Sequence, residues 1–191
     1  MTMIQRAMTA EEFSLKRSDL PDAGQWAELV RGVPVTLQPP DLEHGTIVLN
    51  LSKAFSAYVH AEMNGYPCFD LGLKLESSPD TILYPAISYF TEGERFSETD
   101  NDYTDSTPTV VVDLATTGDR RAGISERISL YLKTGVQSVW IADPNARTIH
   151  ILRKTNHSAI RLDENDMLNG APDLRGFRIK VAQIFADPDW A

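Results

Sequence analysis

At 191 residues, 42% hydrophobic and 24% charged, the chain has the proportions of one globular domain, 1–191, and is too short for two ordinary ones. No stretch approaches the roughly eighteen consecutive apolar residues of a membrane helix. The opening MTMIQRAMTAEEF lacks a secretory pattern, and the lone Cys68 excludes an intrachain disulfide or a cysteine-based zinc site; a cytoplasmic protein with no membrane partner is expected.

Net charge is −9, which argues against a surface built to grip polyanions without selectivity. In chain order, Thr9-Ala10-Glu11-Glu12 is a capping box that opens a short helix to about Lys16. WAELVRGVPVTLQP predicts a hairpin reversing at Arg31-Gly32, where glycine can take a positive φ. Within it Glu28 stands between apolar neighbours, either as a functional acid or as a hairpin-edge glutamate facing water. Helical spacing of Ile47, Leu51, Ala54, Phe55 and Tyr58 predicts the longest helix over 42–64, with Gly65 as its cap.

Short extended pieces, YPCFD and GLKLE, precede TILYPAISYF, which reads as a strand over 81–90. Residues 91–107 hold six acids and one base without an apolar period, and read as a mobile loop. TVVVDLA, 109–115, has the continuous apolar character of a strand buried on both faces. An acid inside it, Asp113, must be neutralised, paired or bound to a cation if the strand is central; the alternative is a strand-end acid, solvated or paired with an arginine. A helix over 119–133 turns Ile124, Ile128 and Tyr131 inward, leaving Arg127 off that face. Strands follow at 136–143, 147–153 and 158–162, then the apolar FRIKVAQIF. Between 120 and 161, eight basic residues stand against Glu126 and Asp143, which gives either a local basic face or an ordinary solvated surface. The order implies α/β architecture, an α+β mixed sheet with helices against it.

The run TVVVDLATTGDRRAGISERISLYLKTGVQSVWIADPNARTIHILR, followed by RLDENDMLNGAPDLRGFRIKVAQIF and preceded by MTAEEF, AELVRG and LEHGTIVLNL, resembles the Uma-type restriction endonuclease family. That family is a domain of unknown function within the PD-(D/E)XK nuclease superfamily. The resemblance implies a restriction-endonuclease-like core: a central mixed sheet flanked by helices, with an N-terminal hairpin. It also implies acids that hold Mg²⁺ or Mn²⁺ for phosphodiester hydrolysis, with DNA as partner.

Carried over by position, the family's early glutamate falls on Glu28 and its Pro-Asp pair on Pro85-Ala86. Its strand glutamate falls on Asp113, and its lysine on Arg127. The resemblance thus assigns Glu28, Asp113 and Arg127 to the site, with Glu28 and Asp113 as metal ligands, and leaves one ligand missing at Ala86. Aspartate is shorter than glutamate by one C–C bond, roughly 1.5 Å, and a guanidinium is never deprotonated. An impaired or inactive nuclease is therefore expected. Two alternatives stand beside it: an active nuclease using Glu28, Asp113 and a relocated ligand, with Asp80 or Glu76 as distant candidates, and a partner-binding module without a nucleic-acid role. His44 lies near a histidine common in the family, although a surface histidine is the plainer account. A homodimer follows only by analogy with the two-fold symmetry of duplex DNA.

Overall fold

A computed structural model describes residues 7–188 except 63, 95–96 and 99. The Thr9 capping box is formed, Thr9 accepting from the Glu12 amide while Glu12 reaches back, and it starts α1, Ala10–Lys16. The hairpin follows as β1, Ala27–Val30, and β2, Val33–Thr36. Arg31 and Gly32 both have positive φ, as the tight reversal requires. Helix α2 spans Leu42–Glu62. Next come β3, Tyr66–Phe69, and β4, Gly72–Glu76.

The expected strand over 81–90 is two strands, β5, Thr81–Leu83, and β6, Ile87–Phe90. Tyr84-Pro85-Ala86 carries the chain from one sheet into another. Proline has no amide proton to give a ladder, so a single strand across it is disfavoured. The 91–107 segment also departs from expectation. Tyr103–Thr104 forms β7, parallel to β4, and Glu98 is buried, accepting from the Tyr66 hydroxyl at 2.7 Å. Residues 95–96 and 99 of that segment lie outside the described residues.

The remaining elements are β8, Val110–Leu114; α3, Gly118–Thr134; β9, Ser138–Asp143; β10, Thr148–Arg153; and β11, Asn156–Leu162. The chain ends with β12, Met167–Asn169; β13, Arg178–Lys180; and the short α4, Val181–Ile184. A five-stranded sheet runs β2-β1-β5-β4-β7, and a six-stranded sheet runs β11-β10-β9-β8-β6-β3. Both are mixed: β8 pairs parallel with β9 and antiparallel with β6.

Alternation along β8 divides the core, because successive side chains leave opposite faces of a strand. Val110, Val112 and Leu114 pack with Ile47, Leu51, Phe55 and Tyr58 of α2. Val111 packs on the other side with Tyr131 of α3, Val139 and Ile141. Asp113 shares the parity of Val111 and so faces α3. A smaller cluster, Ala10, Phe13, Ala27, Leu29 and Ile82, seats α1 on the first sheet. Among the described residues no helix is long and apolar enough to cross a membrane.

Candidate functional site

Glu28 is an interior residue of its sheet, since β1 lies between β2 and β5. Its neighbours Ala27 and Leu29 pack toward α1, which turns Glu28 to the opposite face, where it is 3% exposed. The water-facing hairpin glutamate is thereby excluded. Asp113, 2% exposed, approaches from the second sheet. Between them lies Arg127 of α3, 7% exposed.

Arg127 Nη1 donates to Glu28 Oε2 at 2.5 Å, and Arg127 Nε donates to Asp113 Oδ2 at 2.7 Å. Each carboxylate's second oxygen is also engaged. Glu28 Oε1 accepts from the Tyr84 amide and Asp113 Oδ1 from the Leu114 amide, both at 2.9 Å. The Tyr131 hydroxyl donates to Asp113 Oδ2 at 2.9 Å and accepts from Arg127 Nη2 at 3.2 Å. Although burial by itself favours loss of the arginine proton, the adjoining acids hold the Arg127 pKa well above its ordinary value. Burial is likewise the largest cause that pushes the Tyr131 hydroxyl far up, so it remains a donor.

The expectation that Arg127 leaves the inward face of α3 is wrong. Arg120, Arg127 and Tyr131 are the buried residues of this helix. Their spacings of seven and four put them on one helical stripe, whereas Ile124 and Ile128 are only partly buried beside it.

Ala86 stands at the sheet crossing. The β6–β8 ladder pairs Ile87 with Val112, and one further step places Ala86 beside Asp113. Ala86 lines a narrow cleft with Glu28, His44, Tyr84, Asp70 and Arg120. His44 is thus part of the cleft and not a plain surface histidine. One of its ring nitrogens, Nδ1, lies 3.1 Å from the Thr116 hydroxyl. Burial, reinforced by the charge of Arg120, lowers its pKa to about 4.

The distant acids do not enter. Asp80 accepts from the Ala10 amide at 2.7 Å, and Glu76 accepts from the Thr81 hydroxyl at 3.0 Å. Of the two readings of the basic stretch, the local basic face is not the one that the structure favours. Arg120 and Arg127 are buried, while Arg121, Arg147 and Arg153 lie 3.8, 2.6 and 3.7 Å from Asp143, Glu164 and Asp173 respectively.

A model of the family described as "Uma2: Putative restriction endonuclease" matches residues 11–182. The chain belongs to the Uma2 family. A crystal structure of a protein from Anabaena variabilis ATCC 29413, described as a "putative nuclease belonging to DUF820", has the same fold. Its TM-score is 0.75 at 18% identity, covering 93% of this chain and 97% of that one. No curated protein matches the chain. Uma2 membership supports nuclease ancestry, and the structural likeness shows the shared fold.

The residues present do not fit a divalent ion held between Glu28 and Asp113. Mg²⁺ needs octahedral oxygen donors at about 2.0–2.1 Å, but the space between the two carboxylates is filled by a guanidinium that binds both. Ala86 adds no donor. Among the described residues no group of three or more His, Cys, Asp or Glu side chains could hold a metal.

Proposed function

We propose that this Uma2 protein is a nuclease relative that binds DNA and does not cleave it. The observation that carries the reading is the position of Arg127, bonded at once to Glu28 and Asp113. A buried cation fixed between the two family ligands performs the charge balance that Mg²⁺ or Mn²⁺ would otherwise supply. It cannot provide the metal's open coordination positions or activate a water molecule. Arginine also holds its proton throughout the physiological range, so it serves neither as an acid nor as a base.

The reading is tested by incubating the protein with supercoiled and linear DNA in Mg²⁺ and in Mn²⁺, alongside calorimetric Mn²⁺ titration. The expected result is no cleavage and no stoichiometric Mn²⁺ binding. Cleavage that is lost on Asp113→Ala would restore the active-enzyme reading.

A second reading, a partner-binding module without a nucleic-acid role, is favoured by the pairing of Arg121, Arg147 and Arg153 with acids. That pairing leaves less free positive charge for a phosphate backbone. Salt-dependent retention of DNA separates the two, since phosphate contacts weaken as counterions compete.

A further inference from the structure

Arg120 is a buried cation lining the cleft. It is 6% exposed, its Nε is sealed from solvent without a hydrogen-bond partner, and its side chain makes no hydrogen bond or ion pair with any described residue. Three neighbouring acids are committed elsewhere. Asp119 accepts from the amides of Gln38 and Arg120 and from the Thr117 hydroxyl. Glu28 and Asp113 are held by Arg127. Asp70, on the same cleft, experiences the charges of Arg120 and Arg17 but pairs with neither. A buried guanidinium with no directly bonded partner is costly, and an unsatisfied group in a cleft calls for an explanation.

The cleft opens outward. The recess that Arg120 lines has only about 30 Å³, room for roughly one or two oxygen atoms. It continues into a groove of about 350 Å³ that shares Arg17, Gln25, Trp26 and Asp70 with it. Arg17 is fixed at this junction, its Nε donating to the Gly24 carbonyl at 2.8 Å and its guanidinium lying 3.9 Å over the Tyr84 ring.

We propose that Arg120 is the floor of a receptor for a single terminal phosphate group, one oxygen of which enters the recess while the phosphorus stays at the groove junction near Arg17. Guanidinium geometry matches phosphate oxygens. A terminal phosphate fits a recessed cation because only one ester arm has to leave. An internal phosphodiester would have to pass two sugars through the same narrow mouth. The receptor stands on Arg120 alone; only the identification of the phosphate's source as a nucleic-acid end rests on the binding reading above.

The test is calorimetric titration of the whole protein with inorganic phosphate, against chloride at matched ionic strength. Two oligonucleotides of one sequence are titrated in parallel, one with a 5′-phosphate and one without. Saturable phosphate binding is expected in the wild type, weakened at least tenfold by Arg120→Met and unchanged by Arg161→Met, an exposed position. Ala86→Asp keeps the cation but supplies a carboxylate inside the cleft, and should also weaken binding at least tenfold. It serves where Arg120→Met fails to fold by circular dichroism.

Absence of saturable phosphate binding, or equal binding by folded Arg120→Met, overturns the receptor and leaves water as Arg120's partner. In that case DNA retention would still uphold the binding reading. Phosphate binding with no DNA binding supports the receptor, assigns free phosphate or a small monoester as its ligand, and overturns the DNA reading. A tenfold preference for the phosphorylated oligonucleotide supports both.

Discussion

Arg127 Nε and Asp113 Oδ2 lie 2.7 Å apart in the interior of the protein, joining the middle of α3 to a central strand. The same guanidinium reaches Glu28 in the other sheet. Removing it leaves two buried carboxylates facing each other. Breaking a buried pair from one side costs about 3–5 kcal/mol. Arg127→Met should therefore lower unfolding free energy by roughly that amount, measured by urea denaturation. Adding Glu28→Gln and Asp113→Asn should recover most of the loss, because the unpaired charges are then gone. If the triple variant is no more stable than Arg127→Met, charge is not what the arginine contributes.

Tyr131 offers a finer probe, since its hydroxyl both donates to Asp113 and accepts from Arg127. Tyr131→Phe keeps the packed ring and deletes only that oxygen. A buried hydrogen bond of this kind is worth about 1–3 kcal/mol when one partner is lost. The urea midpoint should fall accordingly, with an unchanged slope. No measurable fall would mean that the arginine alone satisfies Asp113.

Restoring the family pattern requires several changes together. Ala86→Asp, Asp113→Glu and Arg127→Lys in one protein should produce Mg²⁺- or Mn²⁺-dependent DNA cleavage at least tenfold above any single substitution, because site residues act as a unit. Adding Arg120→Ala should raise it further, since Arg120 lines the cleft with residue 86 and competes for the new carboxylate. A plasmid-nicking assay decides the matter. Activity in Ala86→Asp alone equal to that of the combination would show that Arg127 does not block the metal's place.

His44 sets a pH dependence. Its folded pKa of about 4 lies below an unfolded value of about 6.5. As pH falls below 6.5, the unfolded chain takes up a proton that the folded protein refuses until about pH 4. Stability is therefore complete above the unfolded value and is lost between pH 6.5 and 4. At about 1.4 kcal/mol per pKa unit, discounted because the ring is only partly buried, the loss is on the order of 2 kcal/mol. Urea titrations at pH 7 and 4.5 should show wild type losing more stability than His44→Gln by about that margin. Parallel losses in the two proteins would place the titration elsewhere.

Asp113 declared itself in the sequence, because a carboxylate in the middle of VVVDLA has to meet a positive charge somewhere. The hairpin was legible from its turn residue, the long helix from its periodicity and capping glycine, and the central strand from its continuous apolar run. Two features were not. The crossing at Tyr84-Pro85-Ala86 was concealed by apolar residues on both sides, which read as one strand although they belong to two sheets. Arg127 was assigned to the site only through the family resemblance and Arg120 was counted among the surface charges, although their spacing from Tyr131 puts both on one buried stripe. A stripe of Arg, Arg and Tyr at intervals of seven and four is a buried polar face, recognisable once a strand acid is available to receive it. His44 carried no local signal, since what buries it comes from segments distant in the chain, Thr116 and Arg120 among them.

The bond set linking Glu28, Arg127 and Asp113 ties one sheet, the other sheet and α3 together at a single point. Selection for folding alone is then enough to disfavour the loss of any one of these charges while the other two remain. A comparison of related sequences would find acids and a cation held constant for the sake of the fold, so that constancy at these positions is by itself no sign of chemistry. In relatives of this chain the informative position is residue 86, which makes no bond in that network: under the reading proposed above, a carboxylate there would mark a relative able to hold a metal.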